Sequence, residues 1–71
     1  MATTTFFERT VSDKIKTDAN VDLEFGRCSA YNGESLVYIK VDGKMVILDE
    51  NTGKDICCAM GDLSHYLGYD A

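Results

Sequence analysis

Apolar and polar residues alternate most clearly in the middle of the chain. Val21, Leu23 and Phe25 are interleaved with Asp22 and Glu24, the period-2 pattern of a strand with one buried face. The strand is read over residues 21–31. Asn32-Gly33 and Asp42-Gly43 then separate it from extended runs at Ser35–Val41 and Lys44–Asp49. Both dipeptides suit two-residue type I′ turns, whose central residues need positive φ. A three-stranded antiparallel meander follows.

The turns also assign faces. Across Asp42-Gly43, Val41 pairs with Lys44, Ile39 with Val46 and Val37 with Leu48, which puts five apolar residues on one face. Tyr38 pairs with Ile47 and Lys40 with Met45 on the other, beside Leu36. Across Asn32-Gly33, Cys28 pairs with Val37 and Ala30 with Ser35, so Cys28 shares the core face. Continued without interruption, that register sets Glu24 against Val41 and sends Leu23 and Phe25 to the wrong side. A bulge at Gly26 restores the parity and gathers Val21, Leu23 and Phe25 into one core.

Helices are expected at both ends. Thr5-Phe6-Phe7-Glu8 has capping-box spacing, and Phe7, Val11 and Ile15 follow at i, i+4 and i+8, predicting a helix over 5–17. The threonines and the phenylalanine pair lean instead toward strand. At the other end Ile56, Met60, Leu63 and Leu67 form a helical stripe with Asp55 as N-cap. The alternative is a strand at 54–58 and a short helix at 62–67 capped by Asp62. Either helix stops near Leu67, with Gly68 at C′. The expected fold is α+β in α-β-β-β-α order, with a fourth strand as the variant.

Seventy-one residues leave room for one small domain, 1–71, whose core is marginal without a disulfide, a metal or a partner chain. Hydrophobic residues make up 45%, which argues against a disordered chain. No apolar run approaches the ~20 residues of a membrane span, and the first residues lack a secretory pattern. A cytoplasmic protein is expected, in the host cytoplasm if phage-encoded.

Cys28, Cys57 and Cys58 are an odd set, read as reduced thiols. Adjacent cysteines neither bridge each other easily nor converge on one zinc ion, so Cys57, Cys58, Cys28 and His65 make a weak metal set. His65 reads as a solvent-facing helix residue, although Asp62 could orient it as a base. Thr52-Gly53-Lys54 lacks the first glycine of a phosphate loop, and Asp42–Asp49 lacks the alternating oxygen ligands of a calcium loop. No cofactor, metal or catalytic set is expected.

The charge is uneven. Residues 1–40 carry −1, and residues 41–71 carry −4 of the total −5. Direct nucleic-acid binding is therefore disfavoured, and a basic protein surface is the natural partner. The expected function is a non-enzymatic protein-binding regulator, such as a phage-type inhibitor whose carboxylates imitate phosphates and block a nucleic-acid-binding surface. Asp42, Asp49, Glu50, Asp55 and Asp62 would carry it. Leu36, Tyr38, Met45 and Ile47, with Tyr66 and Tyr69, form a candidate partner or dimer face, tyrosine being favoured at interfaces. A homodimeric accessory subunit is the alternative, and a thiol redox or metal-binding protein built on Cys57-Cys58 the second alternative.

Overall fold

The computed structural model describes residues 3–16, 18–29 and 33–69. The chain runs β1 (Thr3–Ser12), β2 (Asn20–Ser29), β3 (Ser35–Val41), β4 (Lys44–Ile47) and α1 (Glu50–Leu67). The strands form one antiparallel sheet in the order β1-β2-β3-β4. This corrects the α-β-β-β-α expectation: four strands precede one C-terminal helix.

The segment expected to be an N-terminal helix is strand β1. Phe7 and Val11 satisfy both patterns, since a spacing of four keeps residues on one helix face and also on one strand face. Strand-forming Thr3–Phe7 and a partner strand decide the matter. Phe7 stacks on Phe25 with ring centroids 5.2 Å apart, and the Arg9 guanidinium lies 5.2 Å from the Phe7 ring. Thr10 Oγ1 donates to Asp22 Oδ1 at 2.6 Å, and Ser12 Oγ to Asn20 Oδ1 at 2.9 Å. The chain reverses at Asp13, whose Oδ1 accepts the backbone N–H groups of Ile15 (2.7 Å) and Lys16 (2.8 Å). Those bonds favour the charged carboxylate, that to Lys16 most, and hold its pKa below the usual aspartate value.

The Asp42-Gly43 turn forms as read. Val41 pairs with Lys44, and the turn residues have φ of 54° and 88°. The other connection differs. Cys28 pairs with Leu36 and Ser29 with Ser35, one step from the expected pairing of Cys28 with Val37 and Ala30 with Ser35, and the turn expected at Asn32-Gly33 falls partly outside the described residues. Ala30, Tyr31 and Asn32 lie outside the described residues. One step of register replaces the expected bulge: Leu23 faces Val41 and Phe25 faces Ile39 with no interruption in β2. The irregularity sits in the neighbouring strand, between Thr5 and Phe7, where β1 passes Gly26.

Val21, Leu23, Phe25, Val37, Ile39, Val41 and Val46 therefore share one face, as expected of the core, and Phe7 and Val11, expected in a helix, join them from β1. Cys28 does not; it moves to the opposite face with Leu36, Tyr38, Met45 and Ile47. That opposite face holds the fully buried side chains found among the described residues, Cys28 and Tyr38, both 0% exposed. The apolar face is only half-buried or exposed.

Helix α1 starts earlier than expected. Asp49, in extended conformation (φ −67°, ψ 166°), occupies the N-cap position without a side-chain cap bond, and residues 54–58 are helical. Asp55 is therefore an internal helix residue. Asn51, Thr52 and Gly53 lie in the first turn of α1. Gly53 is buried because the helix crosses β3 there; a Cβ would stand 3.2 Å from Val37 Cγ2. Leu48 N–H donates to the Val37 carbonyl at 2.9 Å and fixes the approach. The helix ends at Leu67, with Gly68 in the left-handed region as expected. No helix among the described residues is long and apolar enough to cross a membrane.

Candidate protein-binding surfaces

Tyr38 cannot serve as the exposed contact the sequence suggested. Gly26 lies directly opposite it and leaves the ring room to cross β2. Its hydroxyl reaches Thr5 Oγ1 on β1 at 3.1 Å and donates to Glu24 Oε2 at 2.6 Å. Each hydroxyl carries one hydrogen, so Thr5 donates to the phenol oxygen. The bond to Glu24 raises the Tyr38 pKa above the usual tyrosine value; the bond from Thr5 opposes it, while burial and the Glu24 and Glu8 charges add to it. Tyr38 thus ties three strands together.

The rest of the proposed tyrosine face is divided. Leu36 is half-buried, and Met45 and Ile47 are exposed on the edge strand β4. Tyr66 and Tyr69 lie at the far end of α1, exposed and away from that patch.

The acidic set is also split. Asp42 sits in the β3–β4 turn, its N–H bonded to the Asp22 carbonyl at 2.7 Å. Asp49 and Glu50 lie at the other end of β4, where α1 begins, and Glu50 pairs with Lys54 at 3.1 Å. Such an exposed pair contributes under about 1 kcal/mol. Asp55 and Asp62 are seven residues apart, two helical turns, and so share one face; Tyr66 is one turn further along it. All three are exposed, on the side of the helix opposite the buried Gly53.

Sequence reasoning missed one exposed apolar surface. On the sheet, Phe25, Val41 and Val46 are exposed; on α1, Met60 (57%), Leu63 (48%) and Leu67 (48%) are exposed too. Only the first turns of the apolar helix stripe meet the sheet, at Gly53 and the half-buried Ile56. The signal was present in the chain: one helix cannot cover four strands while its stripe extends three turns past its anchor.

The remaining candidates are dispersed. Cys28 is buried beneath the sheet, whereas Cys57 and Cys58 are exposed on α1. No group of three or more His, Cys, Asp or Glu side chains among the described residues is arranged to hold a metal ion. Lys54 of the Thr-Gly-Lys run is engaged by Glu50. No protein-family model, curated protein or solved structure matches the chain.

Proposed function

We propose that the chain is a non-enzymatic, cytoplasmic protein-binding regulator that docks on a basic protein surface through the outer face of α1. The observation that carries this reading is the exposed line of Asp55, Asp62 and Tyr66 on the side of the helix turned away from the sheet. Two carboxylates about 10 Å apart, at 1.5 Å rise per residue, with an amphipathic ring beside them, suit a surface built to hold phosphates. A net charge of −5 adds long-range attraction to such a partner. An inhibitor occupying a nucleic-acid-binding surface is the form of this reading that the charge favours most.

The test is a comparison of columns carrying the wild-type chain and the Asp55→Asn/Asp62→Asn variant, loaded with lysate of the native host and eluted with a salt gradient. The wild type should retain a basic protein that elutes with rising salt, and the variant should release it at lower salt. Identical retention and identical elution on both columns would sink the electrostatic reading.

A further inference from the structure

We propose that two copies of this chain pair through the apolar face of the sheet, the exposed stripe of each α1 lying across the partner's strands. This rests on the fold alone and does not depend on the acidic surface above.

Two unpartnered apolar surfaces occur in one chain, and they match. The sheet offers Phe25, Ile39, Val41 and Val46, and the helix offers Met60, Leu63 and Leu67. A helix of 18 residues is about 27 Å long, enough to cross the three strand spacings of about 4.8 Å in a four-stranded sheet. A two-fold arrangement would satisfy both surfaces twice and leave neither open.

The exposed area points the same way. The chain exposes 5843 Å². A compact monomer of 7.9 kDa exposes about 4,400 Å², so the excess is about 1,400 Å². Removing that from each of two copies buries about 2,800 Å², within the range of obligate homodimers. The radius of gyration, 13.9 Å, likewise exceeds the about 11 Å expected for 71 compact residues.

Charge favours a second copy over another apolar partner. The strand residues on the apolar face include Arg9, Arg27 and Lys44 but no acid, whereas α1 carries Glu50, Asp55 and Asp62 against Lys54. The helix as a whole is acidic and the sheet face basic, so long-range attraction draws the helix of one copy toward the sheet of the other, while the stripe that is joined, Met60, Leu63 and Leu67, is itself uncharged. Asp55, Asp62 and Tyr66 stay on the outer side of the pair.

Sedimentation equilibrium from about 1 to 100 μM, a span covering typical homodimer affinities, tests the proposal. The wild type should show twice the chain mass of 7.9 kDa. Val46→Lys and Leu63→Glu each change an exposed residue and should each give a monomer with near-native circular dichroism. Their equimolar mixture should recover the dimer, because one helix–sheet contact is then native and the other joins Lys to Glu; a variant that merely failed to fold would not recover. Met45→Glu/Ile47→Glu, on the opposite face, and Asp55→Asn/Asp62→Asn should leave the dimer intact. A wild type that stays monomeric throughout overturns the proposal, as does a dimer broken by Met45→Glu/Ile47→Glu and indifferent to Val46→Lys.

Discussion

Replacing Gly26 by alanine is the sharpest test of how the sheet is assembled. Gly26 is buried between Thr5 of β1 and Tyr38 of β3. An added Cβ would stand 3.0 Å from Thr5 Cα and 3.1 Å from Phe6 N, and would press harder still on the Thr4 carbonyl oxygen. All three are backbone atoms, so no side-chain rotation relieves the clash and β1 must retreat at its irregularity. Overpacking of this kind costs about 1–3 kcal/mol, and each ladder hydrogen bond stretched in the process about 1 kcal/mol more. The lower entropy of the unfolded alanine chain returns about 0.4–1 kcal/mol. A net loss of about 2–3 kcal/mol remains, which for a domain of this size lowers Tm by roughly 10–20 °C. Gly61→Ala is the control. It lies inside α1 with nothing within 4 Å of the new Cβ, so removing a helical glycine should gain up to about 1 kcal/mol and raise Tm by about 4–8 °C. The assay is thermal unfolding by far-UV circular dichroism at one fixed protein concentration, with amide exchange read along β1. A Gly26→Ala protein melting within about 2 °C of wild type, with β1 still protected, would refute the β1–β2 packing.

Three further outcomes are expected. In a spectrophotometric pH titration Tyr38 should ionise above the usual tyrosine value, and Tyr38→Phe should remove that late step; because its folded pKa is raised, its contribution to stability is full below about pH 10 and fades as pH rises through the folded value. Asp13 should titrate below the usual aspartate value in a carboxyl chemical-shift series; its folded pKa is depressed, so its contribution is present above the usual value and lost on acidification through the lowered one, and Asp13→Ala should abolish this while loosening the 13–19 reversal. Thiol alkylation under native conditions should modify Cys57 and Cys58 quickly and leave Cys28 protected until denaturant is added; equal rates at all three would contradict the burial of Cys28.

The sequence made the hairpin at Asp42-Gly43 legible because its chemistry is local: both turn residues need positive φ, and the face assignments of β3 and β4 follow. The apolar grouping of Val21, Leu23 and Phe25 with Val37, Ile39 and Val41 was legible too, but not its cause. Parity can be restored by a bulge or by one step of register, and hydrophobic pattern alone does not separate them. The N-terminal helix was misread because Phe7 and Val11 obey both periods; the competing pairing with β2 is a non-local fact. Gly53 is buried by a contact with Val37, sixteen positions away, which no local pattern announces. Tyr38 carried an interface signature, yet the glycine opposite it makes the space that buries it.

Where the buried side chains lie bears on function. Tyr38 and Cys28 are enclosed on one side of the sheet, and the hydroxyl there is satisfied by Thr5 and Glu24. On that side Met45 and Ile47 stay exposed at the edge strand. The opposite side holds most of the strands' apolar residues and none is fully buried, so the hydrophobic stabilisation that a chain of this size depends on is left incomplete in one copy. Pairing with a second copy would supply it and would also set two lines of Asp55, Asp62 and Tyr66 on the outside of one particle. A target with two basic sites, or a repeated basic surface, would then be held by both ridges, and the second contact would be intramolecular. Such linkage strengthens binding by as much as about 10²–10⁴-fold when the geometry allows both contacts. Loss of affinity for a basic partner in Val46→Lys or Leu63→Glu, with every carboxylate still in place, is therefore the expected signature if the two surfaces act together. Unchanged affinity in those monomers would show that each ridge acts alone.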